Sequence, residues 1–170
     1  MSNLLDRLRS NRRSGVVIDS NLLLLFFLGS FDRSQIEKKS RLETYSNEDF
    51  ELLVSLLDRL KPFITTPHIL TEVSNLSNAI PERDRKAYFA SLAARLTLFE
   101  EKNVTNVTAE SALAGRWAQF GLTDACITEI AKQGYLVVTD DFRLSQSLDS
   151  AGIDALNFNH LRDAFWRTSN

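Results

Sequence analysis

Gly15-Val16-Val17-Ile18-Asp19-Ser20-Asn21, followed at once by the apolar run Leu22 to Leu28, decides the fold. A glycine and a short β-branched stretch describe a strand buried on both faces of a sheet, and the acid marks where the chain surfaces from the core. Ser20 or Asn21 then caps a buried helix that starts at Leu22 and stops at Gly29. Working outward, the same grammar returns. Asn47 opens a helix with an apolar stripe through Phe50, Leu53, Val54, Leu56, Leu57 and Leu60. Phe63-Ile64-Thr65-Thr66 reads as a short strand, and Thr66-Pro67 as the cap and first-turn proline of a helix reaching about Ala79. A further helix runs from Pro81 to Leu98 or Glu100, Asn103 to Val107 reads as a weak strand, and Thr108 caps a helix ending near Phe120. Thr123-Asp124 leads into a helix closed by Gly134, Tyr135 to Thr139 is a second buried strand, and a short helix ends near Gly152. A strand from Ile153 to Phe158 and a terminal helix from Asn159 complete the pattern. Strands alternating with helices predict a three-layer α/β/α sandwich on a central, mostly parallel sheet of about five strands.

At 170 residues and 44% hydrophobic, the chain holds enough apolar material for one substantial core. The expected organisation is a basic segment at 1–14 and a single domain at 15–170, interrupted by a charged surface excursion at 30–46. Twenty Lys and Arg against 22 Asp and Glu leave a formal net charge of −2, which excludes a global basic field drawing in a polyanion. Leu22 to Leu28 is far short of the roughly 20 apolar residues that cross a bilayer. Arg7, Arg9, Arg12 and Arg13 are not followed by the apolar stretch of a secretory signal, so a cytoplasmic, non-membrane setting is expected. The single cysteine, Cys126, excludes an intrachain disulfide and has no motif partner that would make it a nucleophile.

Four acids occupy corresponding places in this pattern. Asp19 and Asp141 follow the two convincing buried strands, while Glu72 and Asp124 lie in the first turns of helices. Right-handed crossovers put such positions along one edge of a parallel sheet, where ligands are usually held. Like charges gathered there disfavour ionisation unless a cation or hydrogen-bond donors compensate, and Mg2+ or Mn2+ does so through hard oxygen ligands. That points to a metal-dependent phosphodiesterase. Each acid also has a plain structural reading as a helix cap or turn residue.

The region from about Val16 to Phe158 resembles a PIN domain, the fold of a family of single-strand-cleaving ribonucleases. Val17-Ile18-Asp19-Ser20-Asn21 carries the first acid, Thr66-Pro67 through Thr71-Glu72-Val73 the second, and Leu122-Thr123-Asp124-Ala125 with Val137-Val138-Thr139-Asp140-Asp141 the last two. The resemblance implies a divalent-metal-dependent endoribonuclease acting on single-stranded RNA, either the toxin of a toxin-antitoxin pair or an RNA-processing enzyme. It implies Asp19, Glu72, Asp124 and Asp141 as catalytic, metal-holding acids around one or two Mg2+ or Mn2+ ions, Asp141 being favoured over Asp140, which remains an additional ligand candidate. Asn21 and Thr139 are candidates to orient those acids, with Ser20 and Asn75 as weaker ones. An inhibitor or antitoxin protein and a homodimeric partner also follow from the resemblance. The basic segment and the excursion at 30–46 depart from the toxin pattern. The alternative is a noncatalytic PIN-like scaffold that binds RNA or protein.

Arg7, Arg9, Arg12, Arg13, Arg33, Lys38, Lys39 and Arg41 are candidate phosphate contacts, and Trp117, Phe120 and Phe142 candidate base-stacking side chains. Trp117 fits core packing better. His68 and His160 read as ordinary surface or capping residues. No Gly-rich phosphate loop and no aspartate-lysine pair of a phosphate-accepting signalling domain is present.

Overall fold

The computed structural model describes residues 14–37, 42–104 and 120–168. Among them, five parallel strands form one sheet: β1 (Val16–Ile18), β2 (Phe63–Thr65), β3 (Phe99–Glu101), β4 (Leu136–Thr139) and β5 (Ala155–Asn157), in the spatial order β3-β2-β1-β4-β5. Seven helices flank it: α1 (Ser20–Phe31), α2 (Asn47–Leu57), α3 (Pro67–Leu76), α4 (Glu82–Leu96), α5 (Leu122–Ala131), α6 (Phe142–Ser150) and α7 (Phe158–Thr168). The result is an α/β/α sandwich whose sheet is wholly parallel.

β1 lies at the centre. Val16, Val17 and Ile18 pair on one side with Phe63 and Ile64 and on the other with Leu136, Val137 and Val138, and all of these are buried. A strand covered on both edges and both faces has no place for polar side chains, which is why this stretch is so plain in sequence. Gly15 allows the approach that starts the pairing, since a Cβ there would stand 2.8 Å from the Pro62 carbonyl oxygen. The chain builds from β1 outward to β2 and β3, then returns to place β4 on the other side of β1. The crevice between β1 and β4 is therefore the switch point of the topology, where open parallel sheets hold ligands beyond their strand carboxyl ends.

α1 is apolar around nearly its whole circumference and correspondingly buried, with Leu22, Leu23, Leu25, Phe27 and Leu28 almost inaccessible. It contacts α2, α3 and α4. It starts earlier than its sequence suggests, because Asp19 itself takes the extended capping conformation and accepts from the Ser20 amide; neither Ser20 nor Asn21 is the cap. It also runs past Gly29 to Phe31, since that glycine serves close packing and does not terminate the helix: a Cβ there would come within 2.4 Å of the Phe50 ring.

Two other expectations are corrected. The third strand of the sheet is Phe99–Glu101, earlier than the expected Asn103 to Val107, because Phe99 packs on Phe63 and Phe27 while α4 stops at Leu96; Asn103 and Val104 are not in a strand, and 105–107 lie outside the described residues. The excursion at 30–46 is more than surface, since Ile36, Leu42 and Tyr45 are buried in the common core. The helix expected from Thr108 and the basic segment lie outside the described residues, although Phe120 itself is helical. No helix among the described residues is long and apolar enough to cross a membrane.

Gly29→Ala separates two opposing terms. Alanine favours a helix by about 1 kcal/mol over glycine, whereas overpacking a filled core costs about 1–3 kcal/mol. With the Phe50 ring itself buried, the packing cost should fall at the upper end of its range, and urea denaturation should show a net loss of up to about 2 kcal/mol. Equal or higher stability would mean that Phe50 moves aside freely.

Candidate functional site

The carboxyl edge of β1 and β4 carries the acids. Asp19 follows Ile18 directly, its amide donating to the Val138 carbonyl oxygen at 2.9 Å, so the pairing continues into the acid. Its side chain is buried and held from two sides: Oδ1 accepts from the Ser20 amide and Oδ2 from the Thr139 hydroxyl, both at 2.6 Å. Thr139 Oγ1 in turn accepts from the Asp141 amide at 2.9 Å. One hydroxyl thus joins the first acid to the loop that carries the last two. Ser20 donates its own hydroxyl to Glu72 Oε2 at 3.1 Å, connecting the start of α1 to the middle of α3. Ser20, a weak candidate in sequence, thereby holds two acids with its amide and its hydroxyl.

Asp140 and Asp141 are adjacent but differently employed. Asp141 caps α6, with Oδ1 accepting from the Arg143 and Leu144 amides at 2.7 and 3.0 Å. Its plain structural role is therefore realised. Asp140 accepts from the Tyr45 hydroxyl at Oδ2, 2.5 Å, and from Asn21 Nδ2 at Oδ1, 3.4 Å, while its main-chain oxygen accepts from Asn159 Nδ2 at 2.8 Å. Asp124 sits in the first turn of α5, which packs against α3 and β4.

The electrostatics tie all five together. Burial pushes the Asp19 carboxyl up to about 7, the Thr139 and Ser20 hydrogen bonds oppose the rise, and the charges of Asp140 and Glu72 add to it. Burial also pushes Asp124 up to about 8, reinforced by Asp19, Asp141, Glu72 and Asp140 in that order. Two carboxyls are thus held partly protonated near neutral pH, chiefly by burial and further by the acids around them. Tyr45, by contrast, is kept in its protonated, donating form, because burial and the adjacent Asp140 hold its phenol far above the usual range.

Beside the acids, a cleft of about 380 Å³ opens between α3 and the start of α5, lined by His68, Thr71, Glu72, Asn75, Leu122 and Thr123. Asn75 is therefore placed on the rim of the cleft. His68 lines it too, and its Nδ1 is buried without a protein hydrogen-bond partner; the cap of α3 is Thr66, whose hydroxyl accepts from the Ile69 amide. Thr65 Oγ1 and Asn157 Nδ2, on the last residues of β2 and β5, are likewise buried without a protein partner. Such atoms are uncommon in a folded interior, and three of the four among the described residues lie at or just beyond strand carboxyl ends, the fourth being Asn47 Oδ1 at the start of α2.

Among the described residues no three carboxylate, histidine or cysteine side chains stand in a ready-made metal-ligating group. The acids are engaged instead by neutral donors, Ser20, Thr139, Tyr45 and the α6 amides. The donor set nevertheless suits a hard divalent cation, since it is made of carboxylates whose mutual repulsion a cation relieves.

The remaining candidates divide. Arg33 is engaged with Glu51 at 2.7 Å and lies over the Phe50 ring. Phe142 is 58% exposed directly after Asp141, with its ring against His160, and Phe120 lies under Arg143. Cys126 is fully buried and its thiol is pushed up to about 11 by burial, which keeps it out of nucleophilic chemistry. Arg7, Arg9, Arg12, Arg13, Lys38, Lys39, Arg41 and Trp117 lie outside the described residues. Tyr45 and Asn159 were not singled out from sequence. Tyr45 stands in a charged stretch without periodicity, and only its being the lone aromatic between Phe31 and Phe50 sets it apart.

No family model, no curated protein and no solved structure matches the chain.

The raised carboxyls set a sign for pH dependence. An acid whose folded pKa lies above its unfolded value stabilises the fold below the unfolded pKa, near 4, and loses that contribution as pH rises through the folded values near 7 and 8. In the presence of EDTA, the wild type should therefore lose roughly 5 °C in Tm between pH 5 and pH 8, and Asp19→Asn, which keeps the shape without the charge, should lose distinctly less. Parallel pH profiles for the two proteins would show that Asp19 is not under this strain.

Proposed function

We propose that this protein is a divalent-metal-dependent endoribonuclease that cleaves single-stranded RNA, of the PIN kind that its motifs resemble. The observation that carries the reading is the mutual electrostatic influence of Asp19, Glu72, Asp124, Asp140 and Asp141 at the switch point of a parallel sheet. Negative charge gathered around a buried Asp19 costs stability in the metal-free fold, and a site that exists to hold a cation accounts for that cost.

In this reading Asp19, Glu72 and Asp124 hold one or two Mg2+ or Mn2+ ions, with Asp140 and Asp141 completing the site. The cation supplies, when bound, Lewis-acid polarisation of a phosphodiester oxygen and acidification of a water. The chain's own groups do the rest. Thr139 fixes the Asp19 carboxylate through its hydroxyl, and Ser20 steers Glu72 from the start of α1. The cleft against α5 gives room for a strand beside the acids, and Phe142 offers an exposed ring on which an unpaired base can stack. With no net basic field, RNA would have to be held locally at this edge, by the cleft lining and the exposed Phe142 ring, which suits a flexible single strand better than a rigid duplex. An RNA-processing role and a toxin role, the latter with an antitoxin protein or a second copy as partner, remain versions of the same chemistry.

The experiment is cleavage of end-labelled single-stranded RNA and DNA by wild type and Asp124→Asn in EDTA, Mg2+ and Mn2+. Wild type should cut RNA only with metal, and the variant should be slower by about 100-fold or more. Undiminished cleavage by pure D124N would remove Asp124 from the site. Intact strands with folded wild type under every condition would favour the noncatalytic scaffold. Asp141→Asn should retain the α6 cap, since asparagine caps a helix about as well as aspartate. Any loss of cleavage without loss of Tm in that variant therefore reports on charge, and a larger loss in Asp140→Asn would make Asp140 the principal acid of the pair.

A further inference from the structure

Asp140 is held on one side by Asn21 of α1, and on the other by two segments that hold none of the other acids. Tyr45, from the excursion at 30–46, donates to one carboxylate oxygen at 2.5 Å, and Asn159 of α7 anchors the main chain of the same residue at 2.8 Å. Tyr45 is 4% exposed and is itself fixed. Its ring packs on Phe158, and the Arg162 guanidinium stands 5.0 Å from its centroid. That guanidinium is committed elsewhere: it bonds both oxygens of the buried Asp49 at 2.7 and 2.8 Å and the Thr44 carbonyl oxygen at 2.6 Å. The guanidinium over the Tyr45 ring is thus paired with Asp49, and what Tyr45 presents to Asp140 is a neutral hydroxyl.

The chemistry of that choice is specific. An arginine or lysine on Asp140 would orient it equally well but would place a permanent cation in competition with a divalent ion. A phenol orients the carboxylate and leaves its negative charge in place for a cation. We propose that Tyr45 is the positioning residue for Asp140, holding this carboxylate toward the cation site while the Arg162–Asp49 pair holds Tyr45. This rests on the metal-dependent reading above and adds to it a structural purpose for the excursion.

The test uses Mn2+ alone as the probe, titrated into metal-free full-length protein and followed by electron paramagnetic resonance or calorimetry, with no substrate present. Tyr45→Phe keeps the ring against Phe158 and Arg162 and removes only the hydroxyl. It should weaken Mn2+ affinity about 10-fold, the size typical of a lost outer ligand-orienting contact, while Tyr135→Phe, a buried tyrosine before the start of β4, should not change it. If Tyr45 acts through Asp140, Tyr45→Phe and Asp140→Asn will be non-additive in the double variant. Additive losses would assign Tyr45 a general packing role and overturn the proposal, as would a Y45F affinity equal to wild type. If Y45F does not melt cooperatively, Asn21→Ala removes the other donor on the same carboxylate and should weaken Mn2+ about threefold; no change there also overturns it. A wild type that binds no Mn2+ defeats the metal reading itself, an outcome distinguished from the others by the wild-type titration alone.

Discussion

The pairing of β1 with β4 is the constraint from which the rest of the carboxyl edge follows. Three consecutive register pairs bring Val16, Val17 and Ile18 alongside Leu136, Val137 and Val138, and the ladder continues one residue further, through the Asp19 amide. Two strands distant in sequence must therefore end at the same level. Asp19 and Thr139 meet there, and the 2.6 Å bond between them ties the two halves of the fold at the point where the sheet reverses its direction of growth. Had the register slipped by one residue, the inward and outward sides of β4 would have exchanged and the hydroxyl would have faced away from the acid.

Charge is the second constraint, and it opposes the first. Packing β1 at the centre forces the carboxylate at its end into a poorly solvated position, where its free energy rises. The fold relieves this partly with hydroxyls and amides: Ser20, Thr139, Tyr45 and the first amides of α6 each satisfy an acid. These are neutral donors, so they soften the repulsion without cancelling it. Among the described residues no salt bridge reaches one of the five acids: Arg162 is committed to Asp49 and Arg33 to Glu51.

The excursion shows how a charged, aperiodic stretch can still be structural. Ile36 and Leu42 anchor it in the core, and Tyr45 reaches the crevice beside Asp140. Ser46 then opens α2 with a reciprocal capping box in which Asp49 returns the bond, and the same Asp49 receives Arg162 from α7. One buried acid thus completes the cap of α2 and ties that helix to α7, which is why its low exposure carries no catalytic meaning.

By itself, the sequence determined the alternation of elements, the buried strands at Val16 and Leu136, and the positions of the acids at strand ends and early helix turns. These are local consequences of hydrophobic period and turn chemistry, and the chain has to express them over a few consecutive residues. Boundaries were less legible, because Asp19 serves both as the end of a strand pair and as a helix cap, and Gly29, a stop signal in isolation, is a packing contact with Phe50. The tertiary structure alone decided which donor serves which acid. Ser20 with Glu72, Tyr45 with Asp140 and Thr139 with Asp19 are pairs separated by 52, 95 and 120 residues. A single sequence has no periodic mark for contacts of that kind, since they depend on the strand order and on the register across the sheet, and those are settled only when the whole core closes.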